Sequence, residues 1–274
     1  MSNSLVASFD RGSGIATGWL RRYVLWKQTT RDPGAGVSQG RRSPLLVFVV
    51  LMTVSVSGLA EERSCPPPEP VPLSVLLLAP PCDSCDETQA ELAEFLALQK
   101  SRTPEEAEHA KGDHNRSVGR FLGGVGITIK EDQLNFANHF FQCIDRIVHD
   151  AVGNAKTKFS RTRPYKLTDN GLHFLKNLKA DDGSAYPSGH AAYGTVIGLV
   201  LADMVPELRE KIYDRIQDYG FSRMKAGVHF RSDVYAGEIA GAAIAVSLYQ
   251  NDEFRHAFER AKIDLRKALG YQAQ

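Results

Sequence analysis

The sequence predicts an all-α fold, and three observations carry the prediction. Helix-start signals recur along residues 82–270. Apolar residues there follow helical rather than alternating spacing, and no stretch sustains the period-two pattern of a half-buried strand. The 274 residues are 43% hydrophobic and 24% charged, ordinary values that exclude a disordered, collagenous or wholly coiled-coil chain. We therefore expect one helical domain of roughly 190 residues.

The elements follow in order. Residues 61–81 are proline-rich and read as an extended arm outside the core. Ser84-x-x-Glu87 has the pattern of a capping box ahead of Leu92, Phe95 and Leu96. Thr103-Pro104-Glu105-Glu106 joins an N-cap, a proline at the first helical position and a glutamate at the third. Thr128-x-x-Glu131 is expected to open a helix that buries Leu134, Ala137, Phe141, Ile144 and Val148. Further helices are predicted over 190–204, from Pro206 to about 226 (with Leu208, Ile212, Ile216 and Tyr219 inward), over 231–249 and over 252–268. Gly237, Ala240, Gly241 and Ala245 give the 231–249 helix one face of very small residues, suited to a close helix crossing.

Charge is uneven. Residues 1–60 hold seven Lys/Arg and two Asp, a net of +5, so the remainder carries −4 within a total of +1. That balance leaves no basic footprint for nucleic acid. Arg41-Arg42 precedes an apolar run at 45–56, too short for a membrane span but suited to a signal peptide, and Gly58 and Ala60 place small residues before Glu61. Residues 1–60 are thus expected to be a cleaved extension and signal, and the mature protein periplasmic or secreted. Beyond it, the apolar stretches 191–205 and 234–249 are interrupted by Asp203 and Glu238 and read as core helices, with no stable membrane span. Cys65, Cys82, Cys85 and Cys143 all follow the expected cut. An exported chain could oxidise them; four thiols allow three pairings, among which spacing does not choose. One CxxC, Cys82–Cys85, is weak evidence for zinc, so a structural role is favoured over a redox one.

Three motifs carry chemistry. Lys156-x6-Arg163-Pro164 sets two cations seven apart, two helical turns, so that both can project from one face, with Pro164 taking Arg163 out of helical geometry at a helix end. Lys158 and Arg161 crowd the same stretch, which alone would read as a solvated basic face. Pro187-Ser188-Gly189-His190 precedes an apolar helix: Ser188 can cap it, Gly189 admits close backbone approach, and a helix start binds anions. Ser222-Arg223-x5-His229-x3-Asp233 places a carboxylate four residues after a histidine, within reach of one ring nitrogen, leaving the other as nucleophile or base. Lys156, Arg163 and Arg223 would neutralise phosphate oxygens; one histidine would attack phosphorus and the other protonate the departing oxygen. A metal-dependent phosphatase would need a carboxylate-rich cluster, and none accompanies these motifs, so no metal and no cofactor is expected.

Together the motifs match the three-part signature of the type 2 phosphatidic acid phosphatase superfamily, and the chain resembles its bacterial class A non-specific acid phosphatases. Leu76 to Pro81, Glu87 to Leu92, Ser222 to Gly241 and Phe254 to Leu265 extend the likeness, over about residues 73–268. Ala191 stands where that class usually has Thr. The resemblance implies the helical domain of that type and assigns roles. His229 would be the nucleophile, Asp233 its orienting carboxylate, and His190 the general acid and then base. Lys156, Arg163, Ser188, Gly189 and Arg223 would hold the phosphoryl oxygens. The expected partners are small phosphate monoesters such as nucleotides, sugar phosphates and aryl phosphates, and a homo-oligomer is permitted. The alternatives are a lipid phosphate phosphatase of the same superfamily and a vanadium-dependent haloperoxidase, which share these residues, and an inactive phosphate-capturing module.

Overall fold

The computed structural model describes residues 69–168, 175 and 183–271. The apolar run at 45–56, the expected cut after Ala60 and Cys65 lie outside them. The described residues form helices and turns, without a strand. In chain order the helices are α1 (Leu73–Leu76), α2 (Asp86–Ser101), α3 (Pro104–Gly112), α4 (Val118–Gly124), α5 (Asn135–Phe159), α6 (Gly189–Met204), α7 (Arg209–Lys225), α8 (Arg231–Gln250) and α9 (Asp252–Ala268).

Helix α6 is the hub. Twelve of its sixteen residues are buried, as expected of a helix that is apolar all round. It packs most extensively on α8 and α7, then on α5, which α9 covers from the other side. The α6–α8 crossing depends on two glycines. A Cβ on Gly237 would lie 2.4 Å from the Ser188 carbonyl oxygen, and one on Gly241 would lie 2.5 Å from that of Ala192. The small-residue face of α8 thus brings two backbones together, and that contact seats the start of α6 against the start of α8. A backbone hydrogen bond from Ser188 N to Asp233 O, 2.9 Å, ties the two helix starts directly.

Several local expectations hold. Thr103 accepts from Glu106 N (3.2 Å) while Glu106 Oε2 accepts from Thr103 N (3.0 Å), closing the capping box of α3. Leu134, Ala137, Phe141, Ile144 and Val148 are all buried. Leu208, Ile212, Ile216 and Tyr219 also face the core. No single helix among the described residues is long and apolar enough to cross a membrane.

Three local readings are corrected. The N-cap of α2 is Cys85, not Ser84, because Cys85 N turns back to Cys82 O and the Cys82–Cys85 disulfide closes that turn. Cys143 is disulfide-bonded as well. Thr128-x-x-Glu131 does not cap α5. Residues Glu131–Gln133 form a 3-10 turn, and the N–H groups of Phe136 and Ala137 are both taken by Asp264 of α9 at 2.9 Å. A residue 127 positions away thus supplies the cap that local sequence was expected to give. Finally, the proline-rich arm is not external throughout: Leu73 and Leu77 are buried in the main core, with α1 against α5.

Candidate active site

The C-terminal end of α5, the starts of α6 and α8 and the end of α7 converge on a cavity of about 720 Å³. Helix α5 stops at Ser160, whose backbone is left-handed at φ 48°. Arg163 then lies in extended geometry (φ −76°, ψ 149°) ahead of Pro164, as a residue before proline prefers. Lys156 and Arg163 therefore do not share a helix face. Lys156 reaches the cavity from the last turn of α5, where its ammonium donates to Ser184 O. Arg163 reaches it from the extended run, donating to Gly183 O (3.2 Å) and Val228 O (2.9 Å).

Lys156, Arg163, Gly189, His190, Arg223 and His229 all line this cavity. Ser188 and Asp233 stand behind it, both fully buried. Ser188 is the N-cap of α6, its hydroxyl oxygen accepting from Ala191 N at 3.3 Å, which leaves the O–H able to donate. Arg223, 1% exposed, donates from Nη2 to Ala110 O; its buried Nε has no hydrogen-bond partner among the described residues, a donor suited to an anion. Burial lowers its pKa to about 10, still charged at neutral pH.

His229 precedes α8, and Asp233 is the third residue of that helix. Asp233 Oδ2 accepts from Phe230 N at 2.8 Å and stands 3.4 Å from His229 Nδ1. On the other side of the ring, Nε2 faces Arg163 Nη1 at 3.4 Å. Burial, then Arg163, Lys156 and Arg223, hold His229 well below the usual imidazole range. This shift favours the uncharged ring; with Nδ1–H turned to Asp233, its Nε2 lone pair would face Arg163. His190 is half-buried, with Nε2 3.1 Å from His114 O and its ring stacked on that of His114 at 5.7 Å. Burial and then Arg223 hold it, too, well below the usual range. An anion bound among the same cations would oppose their field and restore its proton affinity.

Arg161 is the residue that sequence reasoning undervalued. A basic stretch alone suggests a solvated cation there, yet its side chain is 1% exposed. Nη1 donates to Asp233 Oδ1 (2.7 Å) and Ser232 Oγ (2.6 Å), and Nη2 to Glu91 Oε2 (2.7 Å). Glu91 also accepts from Ser232 N and Oγ (2.6 and 2.8 Å), so α2 grips the start of α8 both directly and through this guanidinium. Burial pushes the Asp233 carboxyl up and Arg161 pulls it back. The available signal was the Arg-x-Arg-Pro spacing. In an extended segment alternate residues share a side; Arg161 and Arg163 are buried, while Thr162 between them is partly exposed and donates to Asp83.

The described residues that line the cavity include six Lys/Arg and four His but no carboxylate, and no group of three metal-ligating side chains comes together there among them. One candidate cluster lies elsewhere, where ligand atoms of His109, Asp113 and Asp218 fall within 4.8 Å of one another. The Arg215 guanidinium occupies that position, with Nη1 3.0 Å from Asp113 Oδ2 and 3.1 Å from His109 Nε2, so the cluster is already neutralised by a side chain.

Residues 140–256, which hold all three motifs, match the model of the PAP2 superfamily. An acid phosphatase of Zymomonas mobilis subsp. mobilis is 28% identical over 241 residues, covering 82% of this chain and 91% of that protein. A non-specific acid phosphatase of Providencia stuartii is 30% identical over 175 residues, covering 61% of this chain and 69% of that one. One from Salmonella typhi is 28% identical, covering 81% and 91%. A solved transmembrane PAP2-type phosphatidylglycerolphosphate phosphatase from Bacillus subtilis overlays at a TM-score of 0.45 with 19% identity, covering 66% of this chain and 90% of that one. That likeness is too loose to bear on substrate. The family match and these relatives make the chain a phosphatase, a phosphoric monoester hydrolase. The chain belongs to the PAP2 superfamily.

Proposed function

We propose that this protein is an exported acid phosphatase that hydrolyses small phosphate monoesters through a phosphohistidine, without a metal. The observation that carries the reading is the placement of His229, with Asp233 3.4 Å from its Nδ1, in a cavity whose described lining has six Lys/Arg and no carboxylate. His229 Nε2 attacks phosphorus as the ester P–O bond breaks, and His190 gives its proton to the leaving oxygen. Water then attacks the phosphohistidine, His190 takes the water's proton, and inorganic phosphate leaves His229 neutral again. Lys156, Arg163, Arg223 and the Gly189 backbone hold the phosphoryl oxygens, while Ser188 keeps the start of α6 open to them. This fixed positive field favours the transition state as charge spreads over those oxygens. The lowered pKa of His190 fits acid conditions, since in the free enzyme it carries a proton only below the ordinary imidazole range.

The test divides the two histidines. His229→Ala abolishes phosphoenzyme formation with every substrate. His190→Ala loses little with p-nitrophenyl phosphate but about 10²–10⁴-fold with an alkyl phosphate, whose alkoxide needs the proton. Base quenching during turnover traps label on His229, and EDTA leaves the rate unchanged. Label on His190, or activity removed by EDTA and restored by zinc, would overturn the reading. Export is tested by N-terminal sequencing of the secreted or periplasmic form, which begins at or near Glu61.

A further inference from the structure

The cavity holds more positive charge than one phosphoryl group requires: beyond Lys156, Arg163 and Arg223, its described lining carries Arg116, Arg161 and Lys166. The proposed phosphoryl contacts use Lys156, Arg163 and Arg223, and Arg161 is committed to Asp233 and Glu91. Arg116, in the loop between α3 and α4, has no such part. Its Nε is 2.9 Å from Asp145 Oδ1, an ion-pair contact, and its Nη2 donates to Oδ2 at 3.5 Å, so a carboxylate on α5 pairs with the guanidinium. The side chain is 23% exposed, and Nη1 lies 3.9 Å from where a methyl group on Gly189 would sit, beside the proposed phosphate loop. Arg116 also lines a second cavity, of about 560 Å³, with Asn115, Arg146 and Tyr193 among its walls. Arg116 is therefore a wall residue of both spaces, next to the residue that precedes His190.

The placement relative to the histidines gives the direction. Arg116 stands beside Gly189, the residue before His190, whereas Arg163 Nη1 lies 3.4 Å from His229 Nε2. If His190 protonates the departing oxygen, the leaving group exits on Arg116's side. A braced guanidinium is a rigid fork matched to phosphate oxygens.

We propose that Arg116 anchors a second phosphate carried by the leaving group, so that the preferred substrates are bisphosphates and diphosphates rather than esters of uncharged alcohols. This rests on the phosphatase reading above and on its assignment of His190 to the leaving-group side.

The experiment compares propyl phosphate with propane-1,3-diol bisphosphate, which have similar alkoxide leaving groups and differ mainly in the second phosphate. The parent chain is expected to favour the bisphosphate in kcat/KM by about ten- to a hundredfold, the range of one charge-assisted hydrogen bond. Arg116→Gln removes that preference; Arg116→Lys keeps part of it, having charge without the fork. Asp145→Asn weakens it with Arg116 still present, and thermal unfolding confirms that each variant is folded. A parent with no preference, or an Arg116→Gln enzyme that loses both substrates equally, overturns the proposal. Failure of the parent to turn over either substrate or p-nitrophenyl phosphate instead marks failure of the phosphatase reading itself.

Discussion

Replacing Arg161 with Met tests the link between buried charge and chemistry. The guanidinium is 1% exposed and lies between Asp233, 0% exposed, and Glu91, 15% exposed. Its removal leaves two carboxylates facing each other with no cation between them. Breaking a buried pair by deleting one partner costs about 3–5 kcal/mol. For a domain of this size about 1 kcal/mol lowers Tm by roughly 2–4 °C, so a fall of roughly 6–20 °C is expected. The catalytic effect has a definite sign. Burial already raises the Asp233 carboxyl and Arg161 opposes it; without Arg161 the pKa rises further, and Asp233 is ionised only at higher pH. The proposed role of Asp233 needs its charge, because a neutral carboxyl no longer fixes the tautomer of His229. Activity should therefore rise with pH through the new, higher value, and the acid side of the profile should suffer most, by up to about 10⁴-fold. The assay is kcat/KM for p-nitrophenyl phosphate across pH, run below the unfolding temperature of the variant, with Arg161→Lys as the partial rescue. An acid limb that stays in place, with activity falling only in proportion to folded protein, would refute the reasoning.

Gly237→Ala places a methyl 2.4 Å from Ser188 O and should lose both stability and activity, since the α6 start must move; Gly123→Ala, whose Cβ meets nothing within 4 Å, should be neutral or slightly stabilising in thermal unfolding. Asp264→Ala strips the cap from Phe136 N and Ala137 N and should cost about 1–2 kcal/mol in denaturant unfolding, with kcat unchanged. Because a bound phosphate opposes the field that lowers His190, the alkaline limb of kcat should lie at higher pH than that of kcat/KM; coincident limbs would show that His190 does not sense the substrate.

The helical class, most helix spans and the inward faces of α5 and α7 were legible in the sequence, because apolar period and capping chemistry are local properties. Thr103 and Glu106 cap α3 without help from any other element. The candidate residues were legible for a related reason: the Gly189 backbone, the Asp233-to-His229 reach and the turn before Pro164 each arise within a few residues. What the sequence did not disclose were partners that come from far along the chain. Asp264 caps α5, Glu91 and Asp233 claim Arg161, and Asp145 braces Arg116. A lone Arg161 in a basic run looks solvated, because its charge is costly to bury unless carboxylates meet it there. Only the folding of α2 and α8 against the end of α5 brings those carboxylates together, so tertiary structure decided which cations face solvent, which face the cavity and which are held by buried carboxylates.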